Sequence, residues 1–371
     1  MKRITNKIII LFAVLNCNFS LAIIFNDSMG DVKTTFNSDN EFPYVGLNLI
    51  YYGENAISAC SATLINPRTV ISAAHCIPET STNGTTYNSV FMLGNDLRDA
   101  SQSLYGNLAT LRPDKAVTAG SNIINEKYFE NGGRGGSAYD LTIMSLDTPI
   151  YLDSFPSLPN STPKVGDKVA IVGYGIIGYG SNGYDYDNPA DENLADYKRR
   201  SAENKISGVF IDTGESINSL SIKFDKEDSS DFLPKEGFVG RGDSGGPIFL
   251  IDESNSTIEY VLLGATCCGN TPGSNHGIYD SNAFFSSYYD LLDWINTNLP
   301  LQVVSSSGDG SYSLNQLGFN KLPFSTSASG SSSSSCSGYE CYSSYHKTSK
   351  KYYNANISDT VTLDSISIAD N

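Results

Sequence analysis

Gly242-Asp243-Ser244-Gly245-Gly246-Pro247 decides how the rest of the chain is read. A serine between glycines, with a carboxylate just before it, suits a nucleophile on a tight turn. Glycine takes dihedrals that a Cβ forbids and lets backbone come close to a substrate. The turn also aims the amides of Gly242 and Ser244 into one small volume, where an oxyanion is held. A serine hydroxyl is a weak nucleophile alone, so this reading demands a base and an orienting carboxylate elsewhere.

Both are present. His75 lies in Thr69-Val70-Ile71-Ser72-Ala73-Ala74-His75-Cys76, and Asp140 in Tyr139-Asp140-Leu141-Thr142-Ile143-Met144-Ser145-Leu146. The chain has only three histidines. His276 sits in a Gly/Ser/Asn loop and His346 near the C-terminus, so neither competes as the base. The order His, Asp, Ser, each in its own apolar-flanked motif, resembles the chymotrypsin/trypsin family of serine endopeptidases. The resemblance covers about residues 40–299. It implies two six-stranded antiparallel β-barrels with the active site in the cleft between them, and Ser244, His75 and Asp140 as the catalytic residues. It also implies a disulfide between Cys60 and Cys76, which flank the segment leading into His75, and a pairing of Asp243 with a freshly cut N-terminal ammonium.

The surrounding sequence agrees with an all-β fold. Phe42–Ile50, Ser61–Ile65, Thr69–Ser72, Ser89–Leu93, Thr118–Ile124 and Leu141–Leu146 read as strands, with turn signals such as Asn66-Pro67 between them. No convincing long helix interrupts them. Lys164–Val172 starts the second half and ends in Gly173-Tyr174-Gly175; no helical pattern follows, which removes a dinucleotide-loop reading. Ile258–Gly264 and Gly277-Ile278-Tyr279 read as further strands. Tyr288–Asn296 has apolar residues at helical spacing and stops near Pro300, as in the C-terminal helix of the resembled family. The expected division is a protease domain over 23–300, with barrels at about 41–150 and 151–300, and a Ser-rich extension over 301–371.

The chain of 371 residues carries a formal charge of −16, which excludes a nucleic-acid footprint. It opens as an export signal: Lys2, Arg3 and Lys7, then the apolar Ile8–Leu15, then the small-residue site Ser20-Leu21-Ala22. Loss of residues 1–22 makes the mature chain three units more negative and removes Cys17. Asn16 before that cysteine argues against lipoprotein processing. No later segment is long enough to span a membrane as an apolar helix. Six cysteines remain in what is then an oxidising compartment. Cys267 with Cys268, and Cys336 with Cys341, are the simplest further couples, though spacing leaves their connectivity open.

Ile176–Arg200 is an acidic, Gly- and Tyr-rich insertion. Asp185, Asp187 and Asp191 have a loosely calcium-like spacing there, but a solvated loop is the plainer reading, and no metal or organic cofactor is expected. Beyond Pro300, Ser, Gly, Asn and Tyr dominate, with an unbroken serine run at Ser331–Ser335.

The resemblance weakens at the specificity pocket. Trypsin-like members carry an aspartate six residues before the serine, and Phe238 stands there instead. The cysteine usual four residues before the serine is replaced by Gly240. Cys267-Cys268-Gly269 falls where the family has a serine, an aromatic and a glycine along the substrate strand. The pocket expected from these positions comprises Phe238, Arg241, Cys268, Gly269 and Gly277, and its preference before the scissile bond is for small, apolar or polar side chains. No basic residue followed by Ile or Val lies between Ile23 and Phe42, whereas cleavage after Ala22 exposes Ile23, the expected partner of Asp243, with Ile24 and Val32 as the alternative N-termini. Protein or peptide substrates follow from this reading. An esterase using the same three residues, and a non-catalytic homologue acting as an adhesin or binding module, are the alternatives.

Overall fold

The computed structural model of the protein describes residues 23–29, 41–52, 55–78, 87–97, 116–130, 138–184, 198–211, 217–254 and 256–299, and short strands within 302–362. The signal segment, Cys17, the three aspartates of the insertion, Cys336, Cys341 and His346 lie outside the described residues.

A two-residue strand, β1 (Ile24–Phe25), comes first. It is followed by β2 (Val45–Tyr52), β3 (Asn55–Asn66), β4 (Thr69–Ser72), β5 (Tyr87–Leu93) and β6 (Ala116–Ile124). A short helix α1 (Glu126–Glu130) precedes β7 (Thr142–Leu146). β2 to β7 close into a barrel in the order β2-β3-β4-β7-β6-β5, all pairs antiparallel. The second half holds β8 (Lys168–Gly173), β9 (Gly178–Tyr179), β10 (Arg200–Ile211), β11 (Asn218–Lys223), β12 (Gly237–Phe238), β13 (Pro247–Asp252), β14 (Glu259–Asn270) and β15 (Asn282–Ser287). Six of these close a second antiparallel barrel, β10-β11-β15-β14-β13-β8. The helix α2 (Leu292–Asn298) ends this unit. Beyond it, β16 (Gln302–Ser306), β17 (Ser311–Asn315), β18 (Thr326–Ser329) and β19 (Val361–Thr362) form a separate four-stranded sheet.

β8 explains why part of the chain reads as an unbroken apolar run. Val169 and Ile171 enter the core of the second barrel, while Ala170 and Val172 join the core cluster of the first. Both faces of the strand are covered, so the period-2 signal vanishes. β13 divides in the same way, with Ile248 inward and Phe249 and Ile251 toward the other barrel. There Phe249 stacks on Phe42, ring centroids 5.4 Å apart, and meets the edge of Tyr44 at 5.6 Å. Offset aromatic pairs add roughly 0.5–1.5 kcal/mol each to their area burial. Tyr174 and Arg199 complete the seam in polar terms, the first donating its hydroxyl and the second its Nη1–H to the Val45 carbonyl.

Two expectations change. Gly277–Tyr279 is a turn rather than a strand. Gly277 takes φ +69° and Asp280 φ +68°, left-handed values that break an extended chain. The helix begins at Leu292, four residues after the expected start, because Tyr288 still donates its N–H to Leu263 of β14. Leu291, Ile295 and Leu299 then pack into the first barrel's core cluster, and Trp294 Nε1 donates to Glu126 on α1 at 2.9 Å.

Candidate functional site

His75 follows β4 in a single 3-10 turn, Ala74–Cys76. Cys76 is joined to Cys60 on β3, as the resemblance implied. Closing a loop of that length confers about 3 kcal/mol in the chain-entropy view, and it ties the turn to the barrel wall. Asp140 sits just ahead of β7, wholly buried, and reaches His75 twice. Its Oδ1 accepts the His75 backbone N–H at 2.8 Å, and its Oδ2 lies 2.6 Å from the imidazole Nδ1. The His75 side chain keeps 24% exposure on the opposite side.

Ser244 is fixed by the turn that opens β13. Its carbonyl accepts the Ser61 N–H at 2.9 Å, and the Gly242 carbonyl accepts the Ser61 hydroxyl at 3.0 Å. Gly245, at φ +73°, donates to Thr266 on β14; a Cβ there would stand 2.0 Å from Ser72 Oγ and 2.6 Å from the Ser61 carbonyl oxygen. No other residue fits that position without moving the first barrel's wall. The turn therefore packs across the seam, which sets Ser244 against β3 and β4, the strands that deliver His75.

A cleft of about 320 Å³ opens between these parts. His75 and Ser244 line it together with Phe238, Arg241, Cys268, Gly269 and Gly277, so the residues expected at the pocket come together around the serine. Phe238 is buried and stacks on Phe224 at 5.6 Å with the rings 10° apart, which gives that side of the cleft an apolar wall. Tyr184 and His276 were missed. Their backbones exchange both N–H···O bonds at 2.9 Å, their rings stack at 5.5 Å, and they line the cleft as well. One lies in a segment that reads as a solvated insertion and the other in a Gly/Ser/Asn loop, so no local signal marked either. Cys267 and Cys268 are held as thiols rather than joined, with Sγ 2.7 Å from Sγ.

Asp243 points away from the cleft and is buried. Gly175 N–H donates to its Oδ1 at 2.8 Å and Gly240 N–H to its Oδ2 at 2.7 Å. Burial pushes its carboxyl well above the usual carboxylate range, against the Gly240 donor and the nearby Arg200 charge. Ile23, Ile24 and Phe25 are also wholly buried. β1 runs antiparallel to β12, with Ile24 opposite Phe238, and parallel to β9. The N-terminal segment thus lies in a three-stranded sheet, β12-β1-β9, and packs into the core cluster of the second barrel and not of the first, which follows it in sequence.

Among the described residues, the one cluster of metal-ligand type is Cys60, His75 and Cys76. Its two cysteines are spent in the disulfide, and a bridged sulfur is not the thiolate that binds metal. No helix among the described residues is long and apolar enough to cross a membrane.

The sequence also matches known proteins. The sequence model of the trypsin family matches residues 32–295. The thrombin-like enzyme acutin of Deinagkistrodon acutus is 26% identical over 65% of this chain and 85% of its own length. The thrombin-like enzyme elegaxobin-2 of Protobothrops elegans is 25% identical over 69% and 90%. A solved structure of neuropsin, a serine protease expressed in the limbic system of mouse brain, covers 69% of this chain and 93% of its own at 20% identity, with a TM-score of 0.44. With two closed six-stranded barrels meeting at this cleft and a family match over most of its length, the chain belongs to the trypsin family of serine proteases.

Proposed function

We propose that this protein is an exported serine endopeptidase in which Ser244 attacks the peptide carbonyl. His75 takes the serine proton and returns it to the leaving amine, while Asp140 fixes the imidazole tautomer and stabilises its charged form. The amides of Gly242 and Ser244 hold the oxyanion of the tetrahedral intermediate. The observation that carries this reading is the double hold of Asp140 on His75 beside the cleft that also contains Ser244. Export is supported by the leader-like first 22 residues and by the Cys60–Cys76 bridge.

The substrate side chain before the scissile bond meets Phe238 where a pocket carboxylate would pair with Arg or Lys. Burying a cation there without a partner is costly, so small, apolar or polar side chains are favoured. Cleavage of a peptide library chiefly after Arg or Lys would overturn this specificity. Removal of residues 1–22 leaves Ile23 as an ammonium for Asp243. The complete burial of Ile23 and the pairing of β1 beside Phe238 support that assignment. The deciding experiment is labelling of the mature protein with a fluorophosphonate. Labelling lost in Ser244→Ala is the expected result, and a folded wild type that takes no label refutes an active serine hydrolase.

A further inference from the structure

Cys267 and Cys268 are neighbours on β14, and in a regular strand their side chains would leave opposite faces of the sheet. The register against β15 slips here: Thr266 faces Phe285 and Cys268 faces Phe284, which makes Cys267 the extra residue of a β-bulge. A bulge bends the strand and breaks the alternation locally. The two sulfurs accordingly converge to 2.7 Å. Cys267 is buried, Cys268 is half-buried, and both line the cleft with His75 and Ser244. Among the described residues these are the two cysteines left as thiols, since Cys60 and Cys76 are joined to each other.

We propose that Cys267 and Cys268 form a dithiol site in the cleft wall that exchanges with small-molecule disulfides and closes to a vicinal disulfide. Cys268 is the entry point because it is the more exposed of the two. Its thiolate attacks one sulfur of the small disulfide, forming a mixed disulfide and expelling one thiolate. The Cys267 thiolate then attacks Cys268 Sγ and expels the second. Two protein thiols are oxidised, one small disulfide is reduced to two thiols, and the two protein protons end on the expelled thiolates. The hydrogen bond from Cys267 holds the Cys268 thiol below its ordinary pKa, against burial and the Asp140 charge, which favours the first attack. Closure requires the sulfurs to draw in from 2.7 Å to about 2.05 Å. Closure thus reshapes the wall beside Gly269, where the proposed protease function places the substrate backbone, and the effect on turnover alone rests on that function.

The test starts from the exported protein, reduced with a mild monothiol until Cys267 and Cys268 are thiols while Cys60–Cys76 is retained, and then titrated with glutathione disulfide. Intact mass should show the loss of two hydrogens without a lasting glutathione adduct, and peptide mapping should place the new bond between Cys267 and Cys268. The KM for a peptide substrate should shift severalfold and return with dithiothreitol. Cys267→Ser should stop with one glutathione on Cys268. A lasting adduct on the wild type, no change of mass, or a bond from either cysteine to Cys336 or Cys341 overturns the site. An unchanged KM after full closure overturns its effect on the cleft. The mass readings need no peptidase activity, so a protein that closes the ring yet cleaves nothing contradicts the proposed function and not the dithiol site.

Discussion

One carboxylate holds His75 twice: Asp140 takes the backbone N–H of that residue at 2.8 Å with one oxygen and meets its imidazole Nδ1 at 2.6 Å with the other. The main-chain bond fixes where the turn sits, and the side-chain bond fixes how the ring is rotated within it. Because Asp140 is wholly buried and His75 is partly exposed, the pair is clamped from the inside and open toward the cleft.

Asp140→Asn tests that clamp. An amide can still accept the backbone N–H, so the fold should survive with little change in melting temperature. Its NH2 group, set against Nδ1, forces the imidazole to carry its proton on Nε2, the nitrogen that accepts from Ser244 in the proposed mechanism. The expected loss is about 10⁴-fold in kcat, measured on a peptide substrate. A variant within tenfold of the wild type would remove Asp140 from the mechanism.

Ser61→Ala tests the link between the first barrel and the serine turn. The buried Ser61 hydroxyl accepts the Tyr174 N–H at 3.0 Å and donates to the Gly242 carbonyl at 3.0 Å. Its loss strands one donor and one acceptor inside the seam, at a cost of about 1–3 kcal/mol, or a drop in Tm of about 2–4 °C for each kcal/mol in a chain of this size. Gly242 also loses an anchor, so kcat should fall further than stability alone explains. Calorimetry and steady-state kinetics on the same sample separate the two effects; a stable variant with unchanged kcat would show that the anchor does not matter for catalysis.

Glu236 gives the protein a pH-dependent stability away from the cleft. It is buried two residues before Phe238 and accepts the N–H groups of Asp225 and Leu233, each at 3.0 Å. Burial pushes its pKa up to about 7, with the Asp225 charge adding and the two backbone donors and Lys205 opposing. A raised carboxyl pKa means that the folded state binds the proton more tightly than the unfolded chain. Its contribution is therefore complete below 4.5 and is lost as the pH rises through about 7. Urea unfolding of wild type and Glu236→Gln should show the wild type's relative stability falling across that window. A difference that stays flat or rises would contradict the assignment.

The three motifs around His75, Asp140 and Ser244 were legible because each joins a chemically demanding residue to a short apolar strand of the first or second barrel. β8 and β14 were legible for a related reason, their apolar runs being covered on both sides. β10 was not, since Arg200–Ile211 carries Asn204 inward and Lys and Glu outward. Asn204 is tolerated in the core because its Nδ2 donates to the Lys223 and Gly237 carbonyls, a satisfaction that sequence alone does not display. The convergence of Cys267 and Cys268 was hidden for a different reason: it depends on a bulge in the pairing with β15, a property of two strands and not of one.

The N-terminal segment carries the last prediction. Asp243 is a buried carboxylate whose pKa is pushed well up by burial, held by two backbone N–H groups. Ionised, it is offset only in part by the Arg200 charge, and a further positive charge in contact would offset the rest of its desolvation. Ile24 packs close by: a Cβ on Gly240, the residue whose N–H binds Asp243, would stand 3.6 Å from Ile24 Cγ1. While Ile23 is linked to Ala22 it offers only an amide. After cleavage it offers an ammonium, and on the proposed pairing with Asp243 that charge would order the turn that carries Gly242 and Ser244. The ammonium's folded pKa then lies above its unfolded value of about 8. That stabilisation is complete below the unfolded value and is lost as the pH rises through the folded one, so activity should fall reversibly in mildly alkaline solution. Asp243→Asn should fold and turn over slowly, with its alkaline fall abolished. N-terminal sequencing of the active form should read Ile23-Ile24-Phe25. An active form that starts elsewhere, or one whose amine is blocked, would rule the mechanism out.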